Sequence, residues 1–590
     1  MSDSPVVNNK QVVDDEEFLK THPWIRHYDQ GVPHQIDIPD HPLTWLLDTT
    51  ANRAPGRTAM IYYGNKISYA QLSSLAYHFA IALKQLGIQK GDRVAIALPN
   101  IPQYPIAFYG ALRAGAVAVP TNPLYTEREL GHQMKDSGAR ILIMLDMFYP
   151  IIREGRKNTP LEHIIITSPG DFLPPVLRQL YPLQQRREKT PQPALTKEEL
   201  SADPSMHLMK DLLKTHSSGE IEQYNLPEPT QGDDLAVLQY TGGTTGLSKG
   251  AMLTHRNLLA NTLQARSWEP DATFGTDNGL CVAPFFHSYG ATICMNLAIY
   301  MAGTMILLPR FVPKDTLKTI KRYHPQRFPG IPTMYIAVMR EAKGQPDALR
   351  SLETCISGAA PLPAQVRTDF EKLIKGKVVE GYGLSEASPV THCNPLSGGR
   401  DGSIGLPFPG VEAAIMNSET HELLPPGEAG EIVVKGPNIM QGYWNREEET
   451  KAIFVNGWLR TGDIGKMDKD GFFYVVDRAK DMILASGFNV YPREVEEILF
   501  QHPAIVEAAV IGVPHEYRGE TVAAFVILKP GFAPTEETRE KILAFCKEQL
   551  TPYKVPKILE FRDSLPTSLV GKVLRRELRA EIANRQAQAK

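Results

Sequence analysis

Residues 240–250 read Tyr-Thr-Gly-Gly-Thr-Thr-Gly-Leu-Ser-Lys-Gly, and an apolar run, Leu235-Ala-Val-Leu238, leads into them. Gly242, Gly243, Gly246 and Gly250 let the backbone bend where other residues resist and let a ligand approach closely. Thr241, Thr244, Thr245 and Ser248 add hydroxyl donors, and Lys249 adds a positive charge. Backbone N–H groups, hydroxyls and one lysine in a single loop suit a polyphosphate. The stretch is not the Gly-x-x-x-x-Gly-Lys-Ser/Thr loop, because Ser248 precedes the lysine and Gly250 follows it. The dinucleotide pattern Gly-x-Gly-x-x-Gly is also missing. A second apolar run, Ala251-Met-Leu253, comes next, and Thr254 reads as the cap of a helix through Arg266.

Outward from this loop the chain reads as alternating strands and helices. Between Ile67 and Thr167, the short apolar runs Val94–Leu98, Val117–Val119, Ile141–Met144 and Ile164–Ile166 are separated by helical stretches. One of these stretches carries Leu72, Ala76, Phe79, Leu83 and Leu86 at helical spacing and stops at Gly87. Such alternation predicts a parallel sheet with helices on its faces. A second alternating region runs from Leu280 to Val379, with candidate strands Leu280–Ala283, Thr304–Leu308, Thr354–Ser357 and Lys377–Val379. Its uncharged run Ala291–Leu308 divides into a core helix to Ala302 and a strand. From Ser403 to Val476, short strands and Gly/Pro turns read as a small antiparallel sheet or barrel. A further α+β unit follows: helix Pro492–Phe500, strands Val506–Ile511 and Val522–Leu528, helix Thr535–Leu550 and a basic last helix. The fold class is therefore α/β. A large domain, 1–476, holds two layered α/β subdomains and the small β unit, and a small α+β domain, 477–590, follows. Residues 168–234 break the pattern. Phe172–Lys189 mixes apolar and basic residues as a membrane-surface segment does, but Pro174, Pro175 and Pro182 argue for a solvated insertion without a continuous helix.

Composition excludes several classes. A formal charge of −3 over 590 residues leaves no footprint for nucleic acid. Cys281, Cys294, Cys355, Cys393 and Cys546 have no paired spacing, which argues against a disulfide framework or zinc cluster and suits a reducing compartment. The first residues are polar and acidic, unlike a signal peptide.

Four more stretches join the loop: Pro284-Phe-Phe-His-Ser-Tyr-Gly290, Gly381-Tyr-Gly-Leu-Ser-Glu386, Trp458-Leu-Arg-Thr-Gly-Asp463 with Asp477-Arg-Ala-Lys480, and Gly571-Lys-Val-Leu-Arg-Arg576. In order and spacing the five resemble the adenylate-forming acyl-CoA ligase superfamily, from about Leu43 to Glu581, and look most like bacterial long-chain fatty acid–CoA ligases. The resemblance implies two steps, acyl-adenylate formation from a fatty acid and ATP, then transfer to coenzyme A, with Mg²⁺ present. Neither step needs a protein nucleophile, because the carboxylate is already ionised and coenzyme A brings its own sulfur. The rivals are a fatty acyl-AMP ligase that loads a carrier protein and a non-catalytic fatty-acid uptake protein.

The resemblance also assigns residues. Thr241 and Glu386 match the metal positions, where a hard cation that keeps several waters needs few protein oxygens. Gly242, Gly243, Thr244, Thr245, Gly246 and Lys249 would surround the phosphates. Tyr382, after Gly381, would stack on adenine, with Gly358, Ala359 and Ala360 as the opposite wall. Ser385 stands where many members carry Thr and keeps the hydroxyl. Asp463 and Arg478 match ribose contacts. His287 would lie beside the acyl and phosphate groups, with Glu386 and Lys572 as its catalytic partners. Lys572 matches the lysine that meets carboxylate and α-phosphate, although Arg575 and Arg576 leave open an ordinary basic run. Lys480 aligns with a hinge, and Gly487 with the coenzyme A tunnel. Leu484 stands where some relatives carry a second lysine, so that lysine's role does not transfer. Gly290 and Ala291 would open the acyl tunnel, with Ala291 at a position that holds a gating aromatic in some relatives. The expected setting is cytoplasmic or peripheral on the inner face of the membrane, and a homodimer stays open.

Overall fold

The structure is a computed structural model that describes residues 21–187, 195–214, 230–241, 248–478, 481–485, 488–515, 519–567 and 573–588. Gly242, Gly243, Thr244, Thr245, Gly246, Lys480, Gly487 and Lys572 lie outside the described residues, as does the side chain of Arg478.

The strands of the first alternating region form the parallel centre of an eight-stranded sheet. Its order is Gly442–Tyr443, Lys249–Thr254, Leu235–Thr241, Val117–Pro120, Arg93–Ala97, Ala139–Leu145, His163–Thr167 and Met206–Leu208. Only the first two of these strands run antiparallel to their neighbours. The helix Tyr69–Gln85 starts on a capping box in which Ser68 and Gln71 satisfy each other's free N–H groups, and it stops before Gly87 at φ +82°. Its inner face, Leu72, Ala76, Phe79 and Leu83, is fully buried. Each of its larger side chains contributes about 1.5–3 kcal/mol by leaving water.

The second region gives two four-stranded sheets. One has the order Asn278–Cys281, Thr304–Leu307, Thr58–Tyr62, Asn65–Ser68, and the other Thr354–Ser357, Lys377–Gly383, Val390–Cys393, Leu406–Pro407. Single bridges through Arg327 join them, one to Gly279 and one to Thr354. The expected core helix before Thr304 is a π-helical turn, Gly290–Asn296, followed by a short α-helix, Leu297–Tyr300. The Gly/Pro-rich region forms a six-stranded antiparallel sheet from Glu412 to Arg478. The small C-terminal domain is a five-stranded sheet between Ile483 and Phe561, with cores on both faces built by the helices Pro492–Gln501, Glu536–Gln549 and Arg575–Gln588. The fold class read from the sequence holds.

One expectation is overturned. The prolines do not prevent a helix in the insertion, because Pro175–Arg187 is α-helical over 13 residues. Pro175 starts it, where a missing N–H costs nothing, and Pro182 removes only one interior bond. Val176, Leu177 and Leu180 on this helix are exposed. Among the described residues no helix is long and apolar enough to cross a membrane.

Candidate active site

The strands on either side of the hydroxyl-rich stretch form a hairpin. Leu235–Thr241 and Lys249–Thr254 pair antiparallel with Thr241 opposite Lys249, and Thr254 then caps the helix His255–Ser267 through a capping box with Asn257. The hairpin base is braced from outside. The Tyr240 hydroxyl donates to Asp136 Oδ2 at 2.6 Å, and Arg446 Nη2 donates to the other Asp136 oxygen at 2.6 Å. Lys249 pairs with the Glu449 carboxylate and lies 5.3 Å from the centre of the Tyr443 ring. Sequence reading missed Asp136, Tyr443, Arg446 and Glu449. The signal was the aromatic and charged run after Gly442, whose Gly442–Tyr443 adds an edge strand to the hairpin.

Four of the predicted segments converge here. The strand Lys377–Gly383 carries Gly381 and Tyr382 to a turn, Ser385–Ala387, that packs on both hairpin strands. The Tyr382 hydroxyl donates to Asp463 Oδ2 at 2.6 Å, and Asp463 sits opposite Arg478 in antiparallel register. The Ser385 and Ser288 hydroxyls are 3.2 Å apart, which joins this turn to the His287 turn. His287 Nδ1 accepts the Tyr289 N–H at 3.3 Å. Glu386 is buried, and its Oε1 accepts the Tyr443 hydroxyl at 2.8 Å. Burial and Glu386 push the Tyr443 phenol far up, so it stays a donor. One glycine here is dictated by space and a second is crowded. A Cβ on Gly383 would lie 1.9 Å from the Pro389 carbonyl oxygen, and one on Gly358 would lie 3.1 Å from the Tyr289 ring. Ala359, next in the chain, has φ +63°. Gly290 and Ala291 are both buried in the π-helical turn directly after His287.

Two further groups behind Tyr382 are electrostatically strained. His392 meets the Tyr382 ring edge-on at 5.8 Å, and burial pushes its pKa down to about 3. Glu380 is buried 3.8 Å from Arg493, a residue of the C-terminal domain. Desolvation raises its pKa to about 7 against the pull of Arg493.

Beside the C-terminal lysine, the basic run is engaged. Arg575 donates to both oxygens of Glu496, at 2.9 and 2.8 Å, and to Asp481 at 3.3 Å. Arg579 donates to Asp481 at 2.9 Å. Asp481 is buried and directly follows Lys480, so one carboxylate ties the expected hinge to the helix that begins three residues after Lys572.

A buried carboxylate and a hydroxyl beside a hairpin whose connecting sequence is rich in hydroxyls, with a Tyr–Asp pair nearby, suit a nucleoside polyphosphate. Comparison with known proteins agrees. Residues 47–444 match the AMP-binding enzyme family, and residues 494–572 match the AMP-binding enzyme C-terminal domain. The chain is 46% identical over 560 residues to a long-chain-fatty-acid–CoA ligase of Bacillus subtilis, covering 95% of this chain and 98% of the relative. The structure matches ATP-bound MatB from Rhodopseudomonas palustris with a TM-score of 0.76 and 31% identity, over 91% of this chain and 98% of that one. It also matches the anthranilate CoA ligase AuaEII in complex with anthranoyl-AMP, with a TM-score of 0.81 and 27% identity, over 94% and 99%. The chain belongs to the AMP-binding enzyme family, among the adenylate-forming acyl-CoA ligases.

Proposed function

We propose that the protein activates a long-chain fatty acid with ATP and transfers it to coenzyme A, releasing AMP and pyrophosphate. The observation that carries this is the convergence of Tyr382, Asp463, Glu386, Ser385 and the His287 turn beside one hairpin, in a chain that is 46% identical to a long-chain-fatty-acid–CoA ligase over 95% of its length. In the first step a carboxylate oxygen attacks the α-phosphorus and pyrophosphate leaves. In the second the coenzyme A thiolate attacks the acyl carbon and AMP leaves with the bridging electron pair. Asp463 accepts from the ribose, Tyr382 flanks the base opposite Gly358–Ala360, and Lys249 with residues 242–246 holds the phosphates. Lys572 brings positive charge to the reacting carboxylate, and His287 lines the acyl side. Preorganised donors of this kind typically each contribute about 3–4 kcal/mol at a transition state.

Glu386 and Thr241 supply oxygen donors only, which fits Mg²⁺ and not a softer metal. When bound, Mg²⁺ neutralises charge on the phosphate oxygens. The domain boundary lies at Asp477, Lys480 is the hinge, and Gly487 lines the coenzyme A path. Purified protein with palmitate, ATP, Mg²⁺ and coenzyme A should yield palmitoyl-CoA and AMP in equal amounts. Thioester only on an added carrier protein would favour the carrier-loading rival, and no pyrophosphate release would favour the uptake protein.

The exposed Val176, Leu177 and Leu180 support a second element of the proposal, peripheral contact with an anionic bilayer. Their helix also carries Arg178, Arg186 and Arg187 along its sequence. Apolar side chains beside basic ones are what such a surface takes up. Val176→Ser/Leu180→Ser should abolish flotation with phosphatidylglycerol vesicles and leave soluble turnover intact. Unchanged flotation would remove this contact.

A further inference from the structure

Lys249 carries the single positive charge of the stretch 240–250, and it already has an anionic partner. Its ammonium pairs with the Glu449 carboxylate, and the two side chains are 36% and 39% exposed. Glu449 lies in the first turn of the helix Glu447–Ile453, none of whose residues is buried. Local hydrogen bonds bring that turn to the hairpin. The Trp444 N–H donates to the Gly250 carbonyl at 2.8 Å, which docks the segment on the residue after Lys249. The Tyr443 N–H donates to Thr450 Oγ1 at 2.9 Å, and the Thr450 hydroxyl donates to the Arg446 carbonyl at 2.8 Å. Glu449 is therefore delivered to Lys249 by short-range geometry and not by a deep core.

Each member of the pair has a second hold. Glu449 Oε1 lies 3.8 Å from Arg446 Nε, the arginine whose Nη2 donates to Asp136. Lys249 Nζ lies 5.3 Å from the centre of the Tyr443 ring, whose hydroxyl donates to Glu386. Glu449 and Lys249 can part without either losing every favourable contact. A pair this exposed is screened by water and typically shifts an equilibrium by no more than about fivefold. A polyphosphate, with several charged oxygens, outcompetes one such carboxylate.

We propose that Glu449 is an exchangeable counter-ion for Lys249: it holds the lysine while the phosphate site is empty, yields it to ATP, and takes it back as pyrophosphate leaves. The proposal rests on the reading of Lys249 as a phosphate contact. Glu449 meets no reacting atom in this role, so it is a positioning residue that acts through Lys249. Its return to Lys249 weakens the hold on pyrophosphate and so favours release.

The test measures the binding of ATP and of pyrophosphate, each with Mg²⁺, by calorimetry, together with KM for ATP and kcat with palmitate. Glu449→Gln keeps the size of the side chain and removes its charge. Glu449→Asp keeps the charge and withdraws it by one methylene. Both should tighten ATP and pyrophosphate by about two- to fivefold and lower KM for ATP to match, while kcat stays level or falls. In a Lys249→Met background the effect of Glu449→Gln should vanish. Tightening by Glu449→Gln alone would mean general charge repulsion and would overturn the exchange. An equal effect in the Lys249→Met background would overturn it too, as would unchanged or weaker binding in both Glu449 variants. Lys249→Met by itself should weaken both ligands by about tenfold or more. Unchanged binding there would instead overturn the phosphate role of Lys249, and the exchange with it.

Discussion

At the scale of single residues, burial sets several protonation states around the site, and they act in opposite directions. His392 lies between Tyr382 and Phe473, its Nε2 has no partner among the described residues, and its pKa falls to about 3. His255 accepts the Leu43 N–H on Nδ1 and falls to about 4. A histidine whose folded pKa lies below its ordinary 6.5 binds fewer protons folded than unfolded. The stability it preserves is complete above that value and is lost as pH falls towards the folded one. At pH 5 the loss is about 2 kcal/mol for each histidine. Glu380 works the other way. Its raised pKa means the folded state favours the protonated form, so its cost grows as pH rises from its ordinary 4.5 through about 7. His392→Gln should therefore shrink the drop in Tm between pH 7 and pH 5 relative to wild type. An equal drop in both proteins would show that His392 does not titrate in this way.

At the scale of elements, the site is made of short pieces that stiff partners hold in place. The phosphate-type loop is readable in its glycines and hydroxyls, and so is the helix after it, because Thr254 and Asn257 are local cap residues. The brace under the hairpin was readable only in part, since the charged run after Gly442 holds Arg446 and Glu449 but gives no sign of their partners. Asp136, Arg446 and Glu449 come from distant segments and meet only after the sheet has formed. The insertion helix was misread because proline was treated as a breaker at every position, although at the first turn it is not. The π-helical turn after His287 was also out of reach, since apolar spacing over seven residues does not separate one helical pitch from another. The Asp481 clamp carries a prediction at this scale. Removing a buried partner leaves two arginines without their shared carboxylate, and partial exposure moderates the cost to about 2–3 kcal/mol. Asp481→Ala should slow adenylate formation by loosening the segment around Lys572, while thioester formation from supplied acyl-adenylate changes less. Equal slowing of both half-reactions would mean that the clamp merely stabilises the C-terminal domain.

At the scale of the whole molecule, five motifs that are far apart in the chain were enough to name the family. The fold explains why: the large domain gathers the described parts of the first four around one hairpin. The C-terminal domain, with its own cores, reaches that region through Arg493 beside Glu380. What the motifs could not reveal is packing, such as the pairing of Arg327 with Glu269 and Asp277 between two sheets, because these residues carry no motif. The central claim is that acyl activation proceeds by attack of the carboxylate on the α-phosphorus of ATP. It is tested most directly with palmitate labelled with ¹⁸O in both carboxyl oxygens, coenzyme A and unlabelled ATP, followed by mass spectrometry of the products. The account expects one labelled oxygen in the phosphate of AMP and none in pyrophosphate. Label in pyrophosphate or inorganic phosphate, with AMP unlabelled, would contradict it.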